Sequence, residues 1–314
     1  MERRLIPVNG VLALLRADGG TTWPNDLATQ GLQLHLLEAD VYSTPQSVRV
    51  DVMAYRADPD VIVLFECKSG RNISPSQARG YCNATFDGVK RRTTVPAALR
   101  GRSDVAVLPV FVGLADDGEA LVESMAREGI EAPLLLVGAQ GATLERSTHG
   151  GLSDFASRGD DYGLPPGRIV VDADSPSVEI RELLVQQVGA ALSRGDAVLG
   201  MAEAAATIHP YWASVARPAQ AAFVERLKEA ARDLARTDLK QDLRYESDNH
   251  VNPRLVVLAN PVSADPRGAP QAWQALGRRA AQALGRTQRP QIEGQLSMSF
   301  DDLDPEPRGD EDAS

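Results

Sequence analysis

Apolar and polar positions divide this chain into three stretches of different character. Close to the start, an apolar segment (5–15) is interrupted by Pro7, Asn9 and Gly10, and no small-residue cleavage site follows it. It reads as a first strand or helix rather than a signal peptide. Residues 24–38 (PNDLATQGLQLHLLE) carry apolar side chains at 27, 32, 34, 36 and 37 behind the start signals Pro24 and Asp26, which predicts a helix. VRVDVMAY (48–55) and VIVLFECK (61–68) are rich in β-branched residues and flank the turn composition Arg-Ala-Asp-Pro-Asp, which predicts an antiparallel hairpin. Ser74 and Pro75 then read as an N-cap and a first-turn proline opening a helix over 75–88. Apolar runs at 105–114 and 133–138 predict buried strands with a helix near 118–128 between them, and 168–172 predicts a short strand followed by a helix over 177–194. Helix, hairpin, helix, then alternating strands and helices is an α/β pattern.

From about residue 196 the pattern becomes helical and alanine-rich, at AVLGMAEAAATI, AAFVERLKEAARDLAR and QAWQALGRRAAQAL, with one strand expected at 254–260. Residues 286–314 lose periodicity and turn acidic, the composition of a disordered tail. The expected organisation is therefore a domain over 1–195, a mainly helical one over 196–285 and a tail over 286–314. No repeat of 20–50 residues is visible.

Composition narrows the class. The chain has 314 residues, 43% hydrophobic and 24% charged, enough for one large domain or two modest ones. No apolar run approaches the roughly 20 residues that cross a bilayer, so no membrane partner is expected. Cys67 and Cys82 form neither a CxxC motif nor a disulfide framework, which fits a reducing cytoplasm, and they are too few for an iron–sulfur cluster. The net charge of −10 argues against a nucleic-acid partner until its distribution is considered. The last fourteen residues hold seven acids and one arginine, so the other 300 carry only −4. Lys90, Arg91 and Arg92 cluster with Arg100 and Arg102, as either a local basic surface or a solvated loop.

The chemistry concentrates at the end of the second hairpin strand. Its apolar run from Val61 ends in Glu66-Cys67-Lys68, and Lys68 is one of only four lysines in the chain. With the loop centred on Asp58-Pro59, Asp51 lies opposite Glu66; centred on Pro59-Asp60, it faces Lys68. Both registers put Asp51, Glu66 and Lys68 on one face, leaving Val50, Val52, Val63, Phe65 and Cys67 for the core. Cross-strand neighbours sit about 5 Å apart at Cβ. Two carboxylates at that distance repel each other without a cation, and an oxygen-rich pair suits Mg²⁺ or Mn²⁺. A neighbouring lysine can hold a water and stabilise charge on a phosphate. A Glu–Lys surface pair with Asp51 elsewhere is the simpler alternative. Downstream, Gln77 and Tyr81 stand four apart on one helical face, placed to contact a nucleotide. Upstream, His35 and Glu38 could each add a ligand to a cation, although a lone His35 is also the pattern of a satisfied interior histidine. His149, His209 and His250 lack metal-ligand spacing, no GxSxG, Walker or GxGxxG motif occurs, and 138–143 reads as a loop.

Asp51, then fourteen residues, then Glu66-Cys67-Lys68 resembles the PD-(D/E)xK nuclease signature. Gly31-Leu-Gln-Leu-His35 before it and Gln77-Ala-Arg-Gly-Tyr81 after it resemble the GxxxH and QxxxY motifs of the RecB-like branch. The resemblance covers residues 30–85. Val50 stands where the signature has proline, and the four cluster cysteines of some RecB-like members are absent. The resemblance implies a restriction-endonuclease-like core and metal-dependent hydrolysis of DNA phosphodiesters in repair, replication-linked processing or phage defence. It implies Asp51 and Glu66 as metal ligands with the Cys67 backbone carbonyl, and Lys68 positioning the attacking water. His35, and Glu38 beside it, would add further ligands; Gln77, Tyr81, Arg79, Lys90, Arg91 and Arg92 would contact DNA. The rival class is a non-catalytic nucleic-acid-binding or assembly protein that keeps the fold. In the tail, Gln295, Leu296, Met298 and Phe300 have the spacing of the bacterial sliding-clamp-binding peptide, Q-x-x-(L/M)-x-F. They would dock into a partner's pocket or pack back on their own domain.

Overall fold

The alternation in 48–68 folds as a hairpin. In the computed structural model of the protein, β2 (Gln46–Ala57) and β3 (Asp60–Cys67) pair antiparallel, with Val52 opposite Phe65 and Ala57 opposite Asp60. The loop is therefore Asp58-Pro59, and continuing the register brings Asp51 level with Glu66. The structure describes residues 3–16, 25–44, 46–138, 141–145, 152–158, 167–237, 239–248 and 251–258. The helix expected at 271–284, the clamp-like peptide at 295–300, His149 and His250 all lie outside them.

The hairpin sits inside a mixed seven-stranded sheet of order β1-β2-β3-β4-β5-β6-β7, with β1 Gln33–Ser43, β4 Ala106–Leu114, β5 Leu134–Gly138, β6 Gly141–Glu145 and β7 Phe155–Arg158. Strands β3, β4 and β5 run parallel, and the outer pairings are antiparallel. Parallel neighbours need crossovers, supplied by α3 (Pro75–Cys82) with α4 (Phe86–Arg92), and by α5 (Gly118–Arg127). These helices cover one face of the sheet, where Tyr81, Phe86, Leu121 and Met125 pack on Ile62, Leu64 and Phe111. The expected single helix over 75–88 is thus two, α4 starting afresh from the Thr85 side chain, which accepts the Gly88 N–H at 3.2 Å.

The other face is covered by α1 (Leu5–Leu14), whose Leu5, Val11, Leu12 and Leu14 pack on Val63, Phe65, Val110 and Val112. Gly10 lets α1 lie directly on β5: a Cβ there would meet Val137 Cγ1 at 2.4 Å. Asn9, buried in this apolar helix, donates to the Ile169 carbonyl at 2.8 Å and accepts the Ile169 N–H at 2.7 Å. Residues 168–172, expected as a strand, belong to none: the Asn9 amide satisfies Ile169 in place of a neighbouring strand.

Two further expectations are corrected. Only α2 (Asp26–Thr29) of the helix expected at 24–38 is helical; residues 33–43 form β1. Leu32, Leu34 and Leu36 alternate with period two, and a bulge between Leu34 and Leu36 breaks the alternation that would have marked the strand. Of residues 138–143, expected as a loop, 141–143 open strand β6 (Gly141–Glu145). Beyond the sheet, α6 (Ser177–Ser193), α7 (Met201–Ile208) and α8 (Arg217–Arg236) pack on a three-stranded antiparallel sheet, β8 (Val198–Gly200), β10 (Val251–Val257) and β9 (Leu243–Asp248) in that order. This body touches the larger sheet through a parallel bridge of Val215 to Leu37, and the Ala216 N–H donates to the Leu37 carbonyl at 2.9 Å. Among the described residues no helix is long and apolar enough to cross a membrane.

The Asn9 contact ties α1 to the segment that carries Asp172 and Asp174. Asn9→Ala strands two buried backbone groups of Ile169, at a cost of about 1–3 kcal/mol for each, so its urea midpoint is expected to fall well below that of the parent chain. An unchanged midpoint would show that the contact contributes nothing.

Candidate functional site

A sheet residue between two helix-covered faces has few neighbours able to meet a charge, yet Glu66 is buried at 4% exposure near the end of β3. Its oxygens are met by three side chains. Lys68 Nζ and Gln77 Nε2 both donate to Oε1 at 2.5 Å, and the Tyr81 hydroxyl contacts Oε2. Lys68 also donates to Gln77 Oε1 at 2.6 Å, closing a triangle. Gln77 and Tyr81 reach Glu66 together because they stand one turn apart on α3, and the Tyr81 hydroxyl also touches the Arg49 carbonyl on β2. Burial, reinforced by the Glu66 charge, pushes the Tyr81 phenol far above its usual range, so it remains a protonated donor.

Asp51, opposite Glu66, accepts the Cys67 N–H at 2.6 Å. Burial first, and then the Glu66 carboxylate, push its pKa up to about 7, against the pull of the Cys67 N–H and Lys68. Cys67 itself packs against the α1-side core, and burial raises its thiol well above the ordinary value, leaving it a neutral apolar filler.

The two carboxylates and Lys68 open onto a cleft of about 470 Å³, also lined by Arg4, Glu38, Arg49, Asp172 and Asp174. Glu38 pairs with Arg49; burial raises its carboxyl, and the Arg49 charge opposes the rise. Glu38 has φ +53°, a left-handed backbone unusual for a non-glycine residue. Leu37 pairs with Val52 and Ala39 with Val50, with no registered pair between them. The pleat turns over at that point: Val52 packs on the α1 side, whereas Val50, expected on the same face, packs on the α3 side with Val48 and Met53. Across the cleft, Arg4 holds both oxygens of Asp172 at 2.5 Å. Burial alone would raise Asp172, but this pair outweighs it and holds the carboxyl below its usual range. The loop after Lys68 is pinned by Arg71, which joins Arg3 on the buried Asp117 at 3.1 and 2.6 Å.

The site residues expected from sequence are thus partly assembled. Asp51, Glu66, Lys68, Glu38 and Gln77 line one cleft, and Tyr81 lies behind Glu66. His35 is not in that lining. It is the extra residue of the β1 bulge, its Nε2 meets the Thr94 carbonyl at 2.6 Å, and its ring stands edge-on to Tyr55 at 5.9 Å. Burial lowers its pKa, so it stays neutral. The turn-over at Glu38 is what divides His35 from Glu38, which a helix would have put on one face. Arg79 faces away, its Nε 3.2 Å from the Pro75 carbonyl, in a cleft with Cys82 and Glu128. Lys90 pairs with Asp87 at 2.6 Å, and Arg91 lies over the Tyr42 ring at 5.2 Å. With Arg92 they form the last turn of α4, where cations suit the helix dipole. Sequence reading missed Arg4, Arg49, Asp172 and Asp174; the one signal for the distant pair was Asn9, an amide inside an apolar helix.

Among the described residues no group of three or more His, Cys, Asp or Glu side chains is arranged to hold a metal ion. Asp51 and Glu66 supply two carboxylates, the number that suits Mg²⁺ when waters and a phosphate complete its shell. The raised pKa of Asp51, driven first by burial and then by the Glu66 charge, is what a buried carboxylate pair shows where charge compensation is incomplete. No protein-family model matches the chain, nor does any curated protein or solved structure.

Asp51 gives the site a pH signature. Its folded value of about 7 lies above the ordinary 3.8, so between those values the folded chain binds more protons than the unfolded one and loses stability as pH rises. In buffer without divalent cations, the melting temperature of the parent chain is expected to fall from pH 4 to 7 relative to Asp51→Asn. Parallel curves would place the Asp51 carboxyl at its ordinary acidity.

Proposed function

We propose that this chain is a Mg²⁺- or Mn²⁺-dependent DNA nuclease with a restriction-endonuclease-like core. One observation carries the reading: Asp51 and Glu66 lie level on adjacent antiparallel strands, with Lys68 donating to Glu66 at 2.5 Å at the mouth of a cleft. The helix after the hairpin and the parallel strand β4 beside β3 support the same core. Asp51, Glu66 and the Cys67 backbone carbonyl would hold the cation, which when bound supplies Lewis-acid stabilisation of the phosphate. Lys68 donates to the water whose oxygen bonds to phosphorus as the bond to the departing sugar oxygen breaks, and its charge offsets that developing on the phosphate. Gln77 fixes both Lys68 and Glu66. Tyr81, expected to contact DNA, acts on this reading as a positioning residue, holding Glu66 and the Arg49 carbonyl of β2. Placing His35 outside the cleft leaves Glu38 as the nearer candidate for an additional ligand.

Asp51→Asn and Lys68→Ala, each with a preserved melting transition, are expected to lose at least about 10²-fold in cleavage of a DNA panel with Mn²⁺. Retained activity in either variant would sink the assignment. The non-catalytic alternative is favoured by one observation, that both Glu66 oxygens already have donors. A calorimetric Mn²⁺ titration that evolves no heat in the parent chain would decide for it.

The peptide Gln295–Phe300 supports a bacterial sliding clamp as partner. Removal of residues 291–314 is expected to abolish clamp binding in a pull-down with purified clamp; undiminished binding would end that proposal.

A further inference from the structure

We propose that a second cleft, between the C-terminal end of α8 and strand β9, binds the phosphate backbone of a nucleic acid. It encloses about 550 Å³, and its described lining includes Arg232, Arg236, Lys240 and Arg244 but no carboxylate. Arg232 and Arg236 stand four apart on α8 and so share a face. Arg232 is held over the Tyr245 ring at 5.2 Å, and Arg244 pairs with Glu246 at 2.6 Å. Arg236 and Lys240 are exposed and take part in no ion pair among the described residues. One or two cations at a helix end are accounted for by the helix dipole. Here Arg236 and Lys240 add two cations without an ion pair among the described residues to a concavity that Arg232 and Arg244 also line, so positive charge there is only partly compensated until an anion enters.

The nature of the anion follows from the other cleft, and in this the proposal rests on the nuclease reading. The Asp51–Glu66 cleft is lined by five carboxylates, Glu38, Asp51, Glu66, Asp172 and Asp174, against three cations, Arg4, Arg49 and Lys68. A polyanionic substrate is not drawn there by charge, so attraction has to come from elsewhere on the surface. The α8–β9 cleft also presents Leu258, 44% exposed, beside its cations. Apolar surface next to free ammonium and guanidinium groups suits sugars and bases flanking a phosphate.

The test uses the full chain and labelled single- and double-stranded oligonucleotides, read by fluorescence anisotropy in EDTA at several salt concentrations. The double variant Arg236→Gln/Lys240→Gln is expected to bind roughly tenfold more weakly, with the log K against log salt slope smaller by about 1 for each cation removed. Arg194→Gln, which removes an exposed cation already paired with Asp196 at 3.1 Å, is expected to leave the slope unchanged. Parent and double variant with equal affinity and slope would overturn the proposal, as would a parent chain that binds polyglutamate as tightly as the oligonucleotides. Binding is read without divalent cations. Failure of the parent chain to cut DNA therefore counts against the nuclease reading while leaving this measurement intact.

Discussion

A carboxylate buried beside the middle strands of a sheet costs several kcal/mol unless each oxygen is met, and the surroundings of Glu66 are arranged to meet that requirement. Its donors come from the strand's own continuation at Lys68 and from two turns of α3 at Gln77 and Tyr81. Since Tyr81 also contacts the Arg49 carbonyl, one phenol joins α3, β2 and β3. The position of α3 is therefore set by hydrogen bonding as much as by apolar packing. Removing one partner of a buried charge commonly costs about 3–5 kcal/mol, so these contacts dominate the weak surface pairs at Lys90 or Arg194. The loop between Lys68 and α3 is fixed independently at its far side, by Arg71 on Asp117 and by the Ile73 N–H on Ser124 Oγ at 3.1 Å.

The second constraint is the interruption of the β1–β2 pleat. The left-handed backbone at Glu38 reverses which side chains face which layer, so Leu37 packs with α1 while Ala39 packs with α4. A regular pleat would carry Val50 and Val52 to the same layer. The reversal occurs beside Asp51 and leaves Glu38 and Arg49 lining the cleft. Leu37 is also where Val215 and Ala216 attach. The body formed by α6–α8 thus meets the larger sheet at a residue that itself lines the cleft, and Arg226 of α8 donates to the Ala173 and Ser175 carbonyls that bracket Asp174.

Patterns confined to one or two elements were legible in the sequence, and patterns that need distant segments were not. The hairpin could be read because Val52 and Phe65 belong to strands joined by a two-residue loop, which leaves few registers open. That arithmetic left Asp51 opposite either Glu66 or Lys68, and the two-residue Asp58-Pro59 loop selects Glu66. Strand β1 was misread because its period-two signal is broken twice, by the bulge at His35 and the reversal at Glu38, and the remainder mimics a helical stripe. The same break removed His35 from the cleft. Gln77 and Tyr81 were placed on one helical face correctly, yet helical spacing does not say which neighbour they meet. Asp172 and Asp174 could not be placed from the sequence, since 168–172 reads as a strand although Asn9 takes the place of its neighbour, and the turn composition after it does not say which cleft it lines.

Charge is partitioned unevenly over this molecule, and on the proposed reading that partition separates binding from chemistry. The cleft at Asp51 holds an excess of carboxylates, one of them raised to about 7. Such a site gains little from a phosphate's approach until positive charge is supplied. Lys68 alone does not reverse the balance, because its ammonium is already committed to Glu66 and Gln77. Cations placed at the end of α8, away from these carboxylates, keep their attraction for a polyanion without strengthening the ion pairs that hold Glu66. Had the same arginines lined the Asp51–Glu66 cleft, they would have paired with its carboxylates, as Arg4 and Arg49 do with Asp172 and Glu38. On that reading, the two clefts share no lining residue, so the cations of α8 are kept out of the ion pairs around Glu66.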